Sequence, residues 1–471
     1  MPEKKIHTTS SFLHASSRNS ATFTPNKSKV AIIGGGWAGL ACAVELCQQN
    51  YNVTIFESSP QLGGRARSIQ WNNKTLDNGQ HLMIGAYQQM LQLLKTLGAD
   101  AEKLFKQIPH RMLMLNAQTG DTEFDLQLPT YPAPLHLLFG VLNTPSLSLK
   151  EKLLLLIRFK KLLNTKIKTD CSVNEWLSQA KLPKPYIENL LKPVCLAALT
   201  THPQQASAKA FQNVLQQTFN APANFTDLLI PTTDLTQVFP ALAEEFILQH
   251  GGCIKTRSKV QKINVDGEQI KSIDIANETL EFDHYILATP ANITGKLLND
   301  ITSCQTICEQ IKQLKYESVC TIYLQFEQAV SLPYPMIGLV NGTSEWLFER
   351  SSSGHDDVLA AVISAPITTT GAHLSMPEAE LIQTVYTECS NVIKNLPALH
   401  SGKVITEKRA TFQCHPNVDQ HRPSIHTNLS NLKLCGDYVY IEKNNAPGLP
   451  STLEGALRSG VECVHCLISS Q

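Results

Sequence analysis

Residues 30–68 read VAIIGGGWAGLACAVELCQQNYNVTIFESSPQLGGRARS. The apolar run at 30–33 ends at a glycine cluster, and apolar residues at helical spacing follow, so the glycines occupy a strand-to-helix turn. A second apolar run at 52–56 ends at Glu57. This order of strand, glycine turn, helix, strand and terminal carboxylate is typical of dinucleotide-binding βαβ units.

The glycine turn predicts how a dinucleotide is held. Gly34 permits the tight turn, Gly36 lets backbone N–H groups approach a pyrophosphate, and Gly39 lets the helix pack close to the strand. The helix N-terminus attracts the phosphates, and Glu57 can accept both ribose hydroxyls. The cofactor-binding residues predicted here are Gly34, Gly36, Trp37, Ala38, Gly39, Glu57 and Ser58.

The next residues select the nucleotide. The stretch GGRARS at 63–68 resembles the GG-R-x-x-S/T signature of the FAD-dependent amine oxidase and phytoene desaturase superfamily. The resemblance implies FAD, with Gly64, Arg65, Ala66 and Arg67 at its pyrophosphate. It also implies an α/β fold, in which a Rossmann-like FAD-binding domain of the glutathione-reductase/amine-oxidase type carries an interleaved α+β substrate domain.

Size and charge restrict the partners. The 471 residues exceed the roughly 250–300 that one hydrophobic core supports, so two domains are expected. Forty basic and forty acidic residues give no field that would attract nucleic acid, and a small or apolar partner is expected. Thirteen scattered cysteines without a secretory segment favour free thiols and a cytoplasmic location. The CxxC motif at 463–466 has no second ligand pair, so no metal is predicted.

The chain alternates between the two predicted domains. Residues 1–28 form a polar leader that we expect to be disordered. The FAD-binding domain takes 29–100, 226–299 and 406–471, and the substrate domain takes a mostly helical part at 101–225 and an antiparallel sheet with a helix at 300–405. In that sheet Trp346 and Phe348 share one face, where aromatic rings stabilise an allylic cation or serve as plain core.

Two apolar runs in the helical part, at 135–142 and 153–157, are too short to span a bilayer. Arg158, Lys160 and Lys161 follow the second run. The first interpretation is ordinary core of the substrate domain. The alternative is an interfacial patch on a membrane, with its basic residues towards lipid phosphates.

Later segments resemble further flavin contacts of the superfamily. Residues 77–87 correspond to the stretch beside the isoalloxazine ring, Val260 to the one whose backbone meets adenine, and 432–437 with 448–456 to the second flavin motif. In that motif the aspartate is placed on the ribityl chain and the helix N-terminus at the flavin pyrimidine. The resemblance thus implies cofactor contacts at Gly79, Gln80, His81, Val260, Gly436, Asp437, Ser451, Thr452 and Leu453.

DNGQH at 77–81 and LPSTLEGA at 449–456 narrow the resemblance to the squalene-associated FAD-dependent desaturases of hopanoid pathways, the hydroxysqualene dehydroxylases. The match extends from about Val30 to the end, apart from the leader and Asn444-Asn445. It implies a hydrophobic isoprenoid substrate and reductive dehydroxylation of hydroxysqualene to squalene. The insoluble substrate and the apolar runs predict peripheral contact with the inner face of the cytoplasmic membrane, and association with other squalene-pathway enzymes is a further expectation.

Such a reaction needs an acid for the departing hydroxyl, and His81 and Glu454 are the predicted catalytic residues. Three other hypotheses about the function stay open. A carotenoid-type desaturase would use the same parts in the oxidative direction. An amine oxidase would need an amine-holding site, for which the sequence offers no distinct aromatic cage. From another class, the chain could be a flavin-containing isoprenoid-binding scaffold without chemistry.

Overall fold

The computed structural model describes residues 28–131, 135–145, 148–219, 222–364, 372–441 and 448–470. The predicted leader, apart from Ser28, lies outside the described residues, and so do Asn444 and Asn445.

A five-stranded parallel sheet forms the centre of the nucleotide-binding part. Four of its strands are short, largely buried apolar runs, as expected where helices cover a parallel sheet, whereas the edge strand Cys253–Lys255 is mostly exposed. In spatial order they are Cys253–Lys255, Asn52–Phe56, Lys29–Ile33, His284–Leu287 and Leu432–Leu434. Segments that are far apart in the chain therefore end at one edge of the sheet, and this edge carries the glycine turn.

Two helices cross closely on this sheet. The first, Trp37–Gln48, begins at the glycine turn, and the last, Leu453–Ser469, packs along it. The crossing depends on Gly460, because a Cβ atom there would lie 2.4 Å from the carbonyl oxygen of Ala38. The two ends of the chain are thereby joined next to the predicted cofactor site.

A seven-stranded sheet forms the substrate part. Its strands pair antiparallel except for one parallel contact, between 336–340 and 111–116. In spatial order they are Leu399–Phe412, Tyr316–Phe326, His355–Ser364, Trp346–Arg350, Met336–Val340, Arg111–Asn116 and Thr122–Gln127. The last two come from the part we expected to be mostly helical. Their side chains alternate between the two faces of the sheet, which is the strand period and not the helical one.

The two faces of the large sheet belong to different cores. One face, with Tyr323, Trp346 and Phe348, joins the main core that continues into the nucleotide-binding part. The other face packs against helix Glu378–Val392 in a separate cluster that includes Leu347. Trp346 and Phe348 thus share a face, as predicted, and that face is turned towards the nucleotide-binding part.

The remaining elements connect these two sheets. Shorter strands are Ser68–Trp71, Lys74–Asp77, Met83–Ile84, Phe105–Ile108, Leu228–Pro231, Val260–Asp266, Gln269–Ile275 and Glu278–Leu280. The helices of the substrate part are Leu135–Leu142, Leu149–Asn164, Val173–Gln179, Lys184–Tyr186, Ile187–Leu191, Lys192–Leu199, Ala208–Phe219 and Ala372–Ser375. Other helices are Gln88–Thr96, Ala101–Leu104, Leu235–Val238, Pro240–Gln249, Ala291–Leu298 and Gln305–Gln313. Within the described ranges, no helix combines the length and apolar character needed to cross a bilayer.

In helix Leu149–Asn164 the second apolar run, at 153–157, is only partly core. Leu149, Leu153 and Ile157 recur every four residues, so they share one helix face, and they are 78%, 60% and 63% exposed. The core is reached by a different stripe, which includes Leu155 and Phe159. The helix is apolar on two sides, and only one side is covered by the described residues.

Candidate active site

The glycine turn has the geometry that its residues predict. Gly34 has φ +115°, and a Cβ atom there would lie 2.5 Å from the carbonyl oxygen of Ala288 in the adjacent strand connection. A Cβ atom at Gly39 would lie 2.1 Å from the carbonyl oxygen of Gly34. Gly34 and Gly39 are therefore required by the turn itself, with or without a ligand.

Gly36 differs, because none of the described residues fills the space beside it. A Cβ atom there would meet no atom closer than the Cα of Gly64, at 3.9 Å. Gly36 is the N-cap of the first helix, whose first turn has neither a side-chain cap nor an acidic residue. Free N–H groups and a glycine-lined gap form a cradle for a phosphate group, so the residues present fit the pyrophosphate of FAD.

Glu57 lies beside this cradle. Its Oε2 accepts a hydrogen bond from the Gly35 N–H at 2.7 Å, and its Oε1 accepts one from the Ser59 N–H at 2.7 Å. The backbone of Ser258 donates to the carbonyl of Glu57, so the segment that leads to Val260 runs alongside. The predicted ribose and adenine contacts are therefore neighbours, while Ser58 is exposed.

The Arg65 loop meets the second flavin motif. The Arg65 guanidinium contacts Asp437 Oδ1 at 2.7 Å and donates to the Ala410 carbonyl at 2.7 Å, while Asp437 Oδ2 accepts from the Ser451 hydroxyl. Burial alone would raise the pKa of Asp437, but the charge and hydrogen bond of Arg65, with Ser451, hold it below its usual value. Thr452 caps the last helix through a bond from the Gly455 N–H.

Two predicted residues support the glycine loops with their side chains. The Trp37 indole donates to the Ala66 carbonyl at 2.8 Å and packs on Phe239, and Arg67 donates to the carbonyl of Gly64. These side chains therefore stabilise the conformation of the loops. The Trp37 side chain is occupied in this way, so the predicted contact of Trp37 with the cofactor falls to its backbone.

Arg422 was not predicted. It is 5% exposed, and its guanidinium donates to the carbonyls of Asp437, Tyr438, Val439 and Leu449 and to the Asp419 carboxylate, over distances of 2.9–3.2 Å. One cation thus holds together the turn after Gly436 and the approach to the last helix. No local sequence pattern marks such a residue, because four of its five partners are backbone carbonyls.

The segment at 77–81 is tied to the large sheet. Asp77 and Arg350 form a buried ion pair at 2.7 Å, and Arg350 also donates to the Gln80 side chain at 3.1 Å. The Gln80 N–H donates to Thr321 Oγ1 at 3.3 Å, and a Cβ atom at Gly79 would lie 3.7 Å from the same oxygen. The predicted flavin segment therefore lies against the strand 316–326.

His81 is poorly suited to the predicted role of acid. Burial, with a smaller contribution from the positive charge of Arg65, lowers the pKa of His81 to about 4. The imidazole is therefore neutral near pH 7 and has no acidic proton of suitable pKa to give.

The Glu454 carboxylate, the second predicted acid, already has three hydrogen-bond donors within the protein. Its Oε1 accepts from the Gln89 N–H at 2.9 Å and from Arg458 Nε at 2.8 Å, and its Oε2 accepts from the Met90 N–H at 3.1 Å. The carboxylate closes the N-terminus of helix Gln88–Thr96, where negative charge is favourable. Glu454 thus links two helices.

Two cavities with mostly apolar linings lie against the large sheet. The inner cavity borders the predicted flavin segment, and the helix-side cavity lies between the sheet and helix Lys192–Leu199. The inner cavity is lined by Gln80, His81, Leu82, 228–231, Pro335, Met336, 348–350, Ser352 and Ser353. The helix-side cavity is lined by Met114, Lys192, Pro193, Leu196, His202, Pro203, Leu339, Glu345 and Trp346. Phe348 lines the inner cavity and Trp346 the helix-side cavity, and these two residues are about 7 Å apart along one strand face.

Three buried thiols meet behind the glycine turn. Cys42, Cys435 and Cys463 place their sulfur atoms within 4.8 Å of one another. Cys463 therefore lies beside Cys42 and Cys435, and Cys466, the other cysteine of the CxxC motif, is not a member of this group.

Comparisons with known proteins agree with this site. The family model "Flavin containing amine oxidoreductase" matches residues 37–468. A hydroxysqualene dehydroxylase from Zymomonas mobilis is 27% identical over 93% of this chain and 98% of its own length, and a 15-cis-phytoene desaturase from Glycine max is 23% identical over 99% and 85%. The crystal structure of a putative protoporphyrinogen oxidase from Exiguobacterium superposes with a TM-score of 0.68 at 17% identity, over 95% of this chain and 100% of that one.

Fold and site together define an FAD-dependent oxidoreductase. The chain belongs to the flavin-containing amine oxidoreductase family, since the family model covers most of its length. The predictions of FAD as cofactor and of a Rossmann-like α/β fold are confirmed. The individual cofactor contacts stay predictions, although the structure brings these residues together.

Proposed function

We propose that the chain removes the hydroxyl group of hydroxysqualene reductively and releases squalene. The observation that carries the proposal is the end-to-end similarity to hydroxysqualene dehydroxylases, which covers 93% of this chain and 98% of the Zymomonas protein. The two cavities support it, because more than half of the residues that line each of them are apolar, which suits a hydrocarbon ligand.

The roles of the chain's residues follow from their places. Reduced FAD, when bound, supplies a hydride. The glycine turn and Glu57 hold the nucleotide end, and the ion pair of Asp77 with Arg350 fixes the segment at 77–81 against the sheet. Trp346 and Phe348 exclude water from the face on which the hydrocarbon lies, which protects an allylic cation from capture.

Incubation with substrate under anaerobic conditions tests the proposal. Purified protein with dithionite-reduced FAD should convert hydroxysqualene to squalene, identified by mass spectrometry of the extracted lipids. Reduced FAD without protein is the control. Conversion of a phytoene-type polyene by the oxidised protein, with none of hydroxysqualene, would favour the desaturase reading. Isoprenoid binding without either reaction would favour the scaffold.

We also propose that the exposed stripe of Leu149, Leu153 and Ile157 rests on an anionic membrane surface, on the inner face of the cytoplasmic membrane. Lys160 and Lys161 are exposed one turn further along the same helix, where they can meet lipid phosphates. The contact suits an insoluble substrate, because the isoprenoid can pass from the lipid into the protein without crossing water. Association with other squalene-pathway enzymes remains a prediction that co-purification can test.

Flotation with phosphatidylglycerol vesicles tests the membrane contact. Wild-type protein should float at low salt and less at high salt, because the screening length shortens to about 10 Å at 0.1 M. Leu153→Ser should weaken flotation, whereas Leu248→Ser, a change at a similarly exposed leucine of another helix, should not. Equal flotation of both variants and the wild type would contradict the assignment of the surface.

A further inference from the structure

Glu345 is a buried carboxyl group that none of the roles above uses. It is 5% exposed and precedes strand Trp346–Arg350. Its Oε1 accepts from the N–H of Ser364 at 2.7 Å and from the Ser364 hydroxyl at 2.5 Å. Within the described ranges Oε2 has no hydrogen-bond donor, and no cation lies within ion-pair distance of the carboxyl group. Ser364 thus fixes Oε1, and among the described residues Oε2 is available for a further hydrogen-bond partner.

The surroundings of Glu345 are mostly apolar. The helix-side cavity places Met114, Leu196 and Trp346 around it. The charged and titratable groups nearby are Lys192, paired with Glu188 at 2.8 Å, His202, which shares the cavity, and Glu388, which accepts from the backbone of 343–344. Burial raises the pKa of Glu345 to about 7, so a large fraction of it is protonated under physiological conditions.

Strand register places Glu345 two strands away from the predicted flavin segment at 77–81. Thr321, which accepts from the Gln80 N–H, lies opposite Val362, and Val362 lies opposite Trp346. Strands are about 4.8 Å apart, so Trp346 is about 10 Å across the sheet from Thr321. Ser364, the anchor of Glu345, lies one same-face position beyond Val362. A substrate segment that reaches the flavin along this face therefore passes Glu345.

We infer that Glu345 is the proton donor for the departing hydroxyl group, an assignment that rests on the proposed function. The Oε2 proton moves to the hydroxyl oxygen as the carbon–oxygen bond breaks, and the bonding pair leaves with oxygen as water. The hydride from reduced flavin forms the new carbon–hydrogen bond. The flavin is thereby oxidised, and the second proton of the reduced flavin restores the carboxyl group through solvent. The balance is R–OH + FADH₂ → R–H + H₂O + FAD.

Single-turnover oxidation of reduced flavin by hydroxysqualene tests the assignment. Glu345→Gln keeps an acceptor for Ser364 but cannot give a proton, and we expect a rate roughly 10²–10⁴-fold lower with unchanged flavin content. The wild-type rate should fall as pH rises through about 7, because the acid form is lost. Glu345→Asp should restore part of the rate.

Glu388→Gln is the matched control. Glu388 is also a buried carboxyl group, and it holds the turn just before Glu345, but it lies on the helix that covers the opposite face of the sheet. Its variant should react at the wild-type rate, which separates proton donation from a disturbance of the turn. Infrared difference spectra recorded below and above pH 7 should show a carboxylic acid band in the wild-type protein, and this band should be absent in Glu345→Gln.

The outcomes separate the two claims. A wild-type rate in Glu345→Gln overturns the acid assignment and leaves the proposed function intact. A loss of rate in Glu388→Gln as large as that in Glu345→Gln has the same two consequences. Wild-type protein that binds FAD but does not react with hydroxysqualene overturns the proposed function, and the acid role fails with it.

Discussion

Substitution of Gly36 by valine tests whether the gap beside it is a cofactor cradle. Gly36 has φ −78° and ψ 179°, which a valine adopts without strain, and its Cβ atom would be no closer than 3.9 Å to the Gly64 Cα atom. The cost is mainly the poorer helix cap, about 1 kcal/mol in the unfolding free energy of the FAD-free protein. The side chain would occupy the place where a pyrophosphate meets the backbone.

Thermal unfolding with and without FAD measures the effect. At FAD concentrations about 100 times Kd, binding stabilises the wild-type protein by about 2.7 kcal/mol, and Gly36→Val should gain almost none of this. Gly39→Val is the contrasting variant, because its Cβ atom would lie 2.1 Å from a backbone oxygen. It should lose about 1–3 kcal/mol or more even without FAD. Equal stabilisation of Gly36→Val and wild type by FAD would refute the cradle.

Three further predictions concern buried polar groups. Glu454→Gln should lower the unfolding free energy by about 1–3 kcal/mol, because two backbone N–H groups lose a charged acceptor, while single-turnover kinetics stay at the wild-type rate. Because the pKa of His81 is lowered to about 4, the contribution of the neutral imidazole to stability should be lost as pH falls from about 6.5 to about 4. Chemical-shift titration of labelled histidine measures this pKa. A titration midpoint near 6.5 would contradict the burial of the imidazole. Arg422→Lys cannot reproduce five contacts, so flavin fluorescence should report release at a lower temperature, with about 1.5–3 kcal/mol less stability.

Local sequence was enough to predict the nucleotide-binding part. The positive φ of Gly34 and the contact of Gly39 with the Gly34 carbonyl belong to one turn, and Glu57 follows the strand that pairs with the first. Such features lie within 30 residues of each other, so spacing alone reveals them. The resemblance placed Arg65 and Asp437 separately at the cofactor, and their contact with each other was not predicted, because no pattern within either segment points to the other.

Other features depend on distant pairing and were missed. Strands 111–116 and 122–127 join a sheet whose other strands lie more than 180 residues later, and propensity does not identify that partner. Helix Leu149–Asn164 has two apolar stripes, and periodicity cannot tell which one is covered. Glu345 follows no catalytic motif, and its apolar surroundings are assembled from three separate segments.

The order of strands in the parallel sheet also governs when the protein can mature. The glycine turn leaves the ribosome early, but the edge strand Leu432–Leu434 and the Asp437 that pairs with Arg65 are made near the end of synthesis. At roughly 5–20 residues per second, tens of seconds pass between Arg65 and Asp437. During that interval the sheet has an open edge. The contact between Arg65 and Asp437 can therefore form only after translation is almost complete.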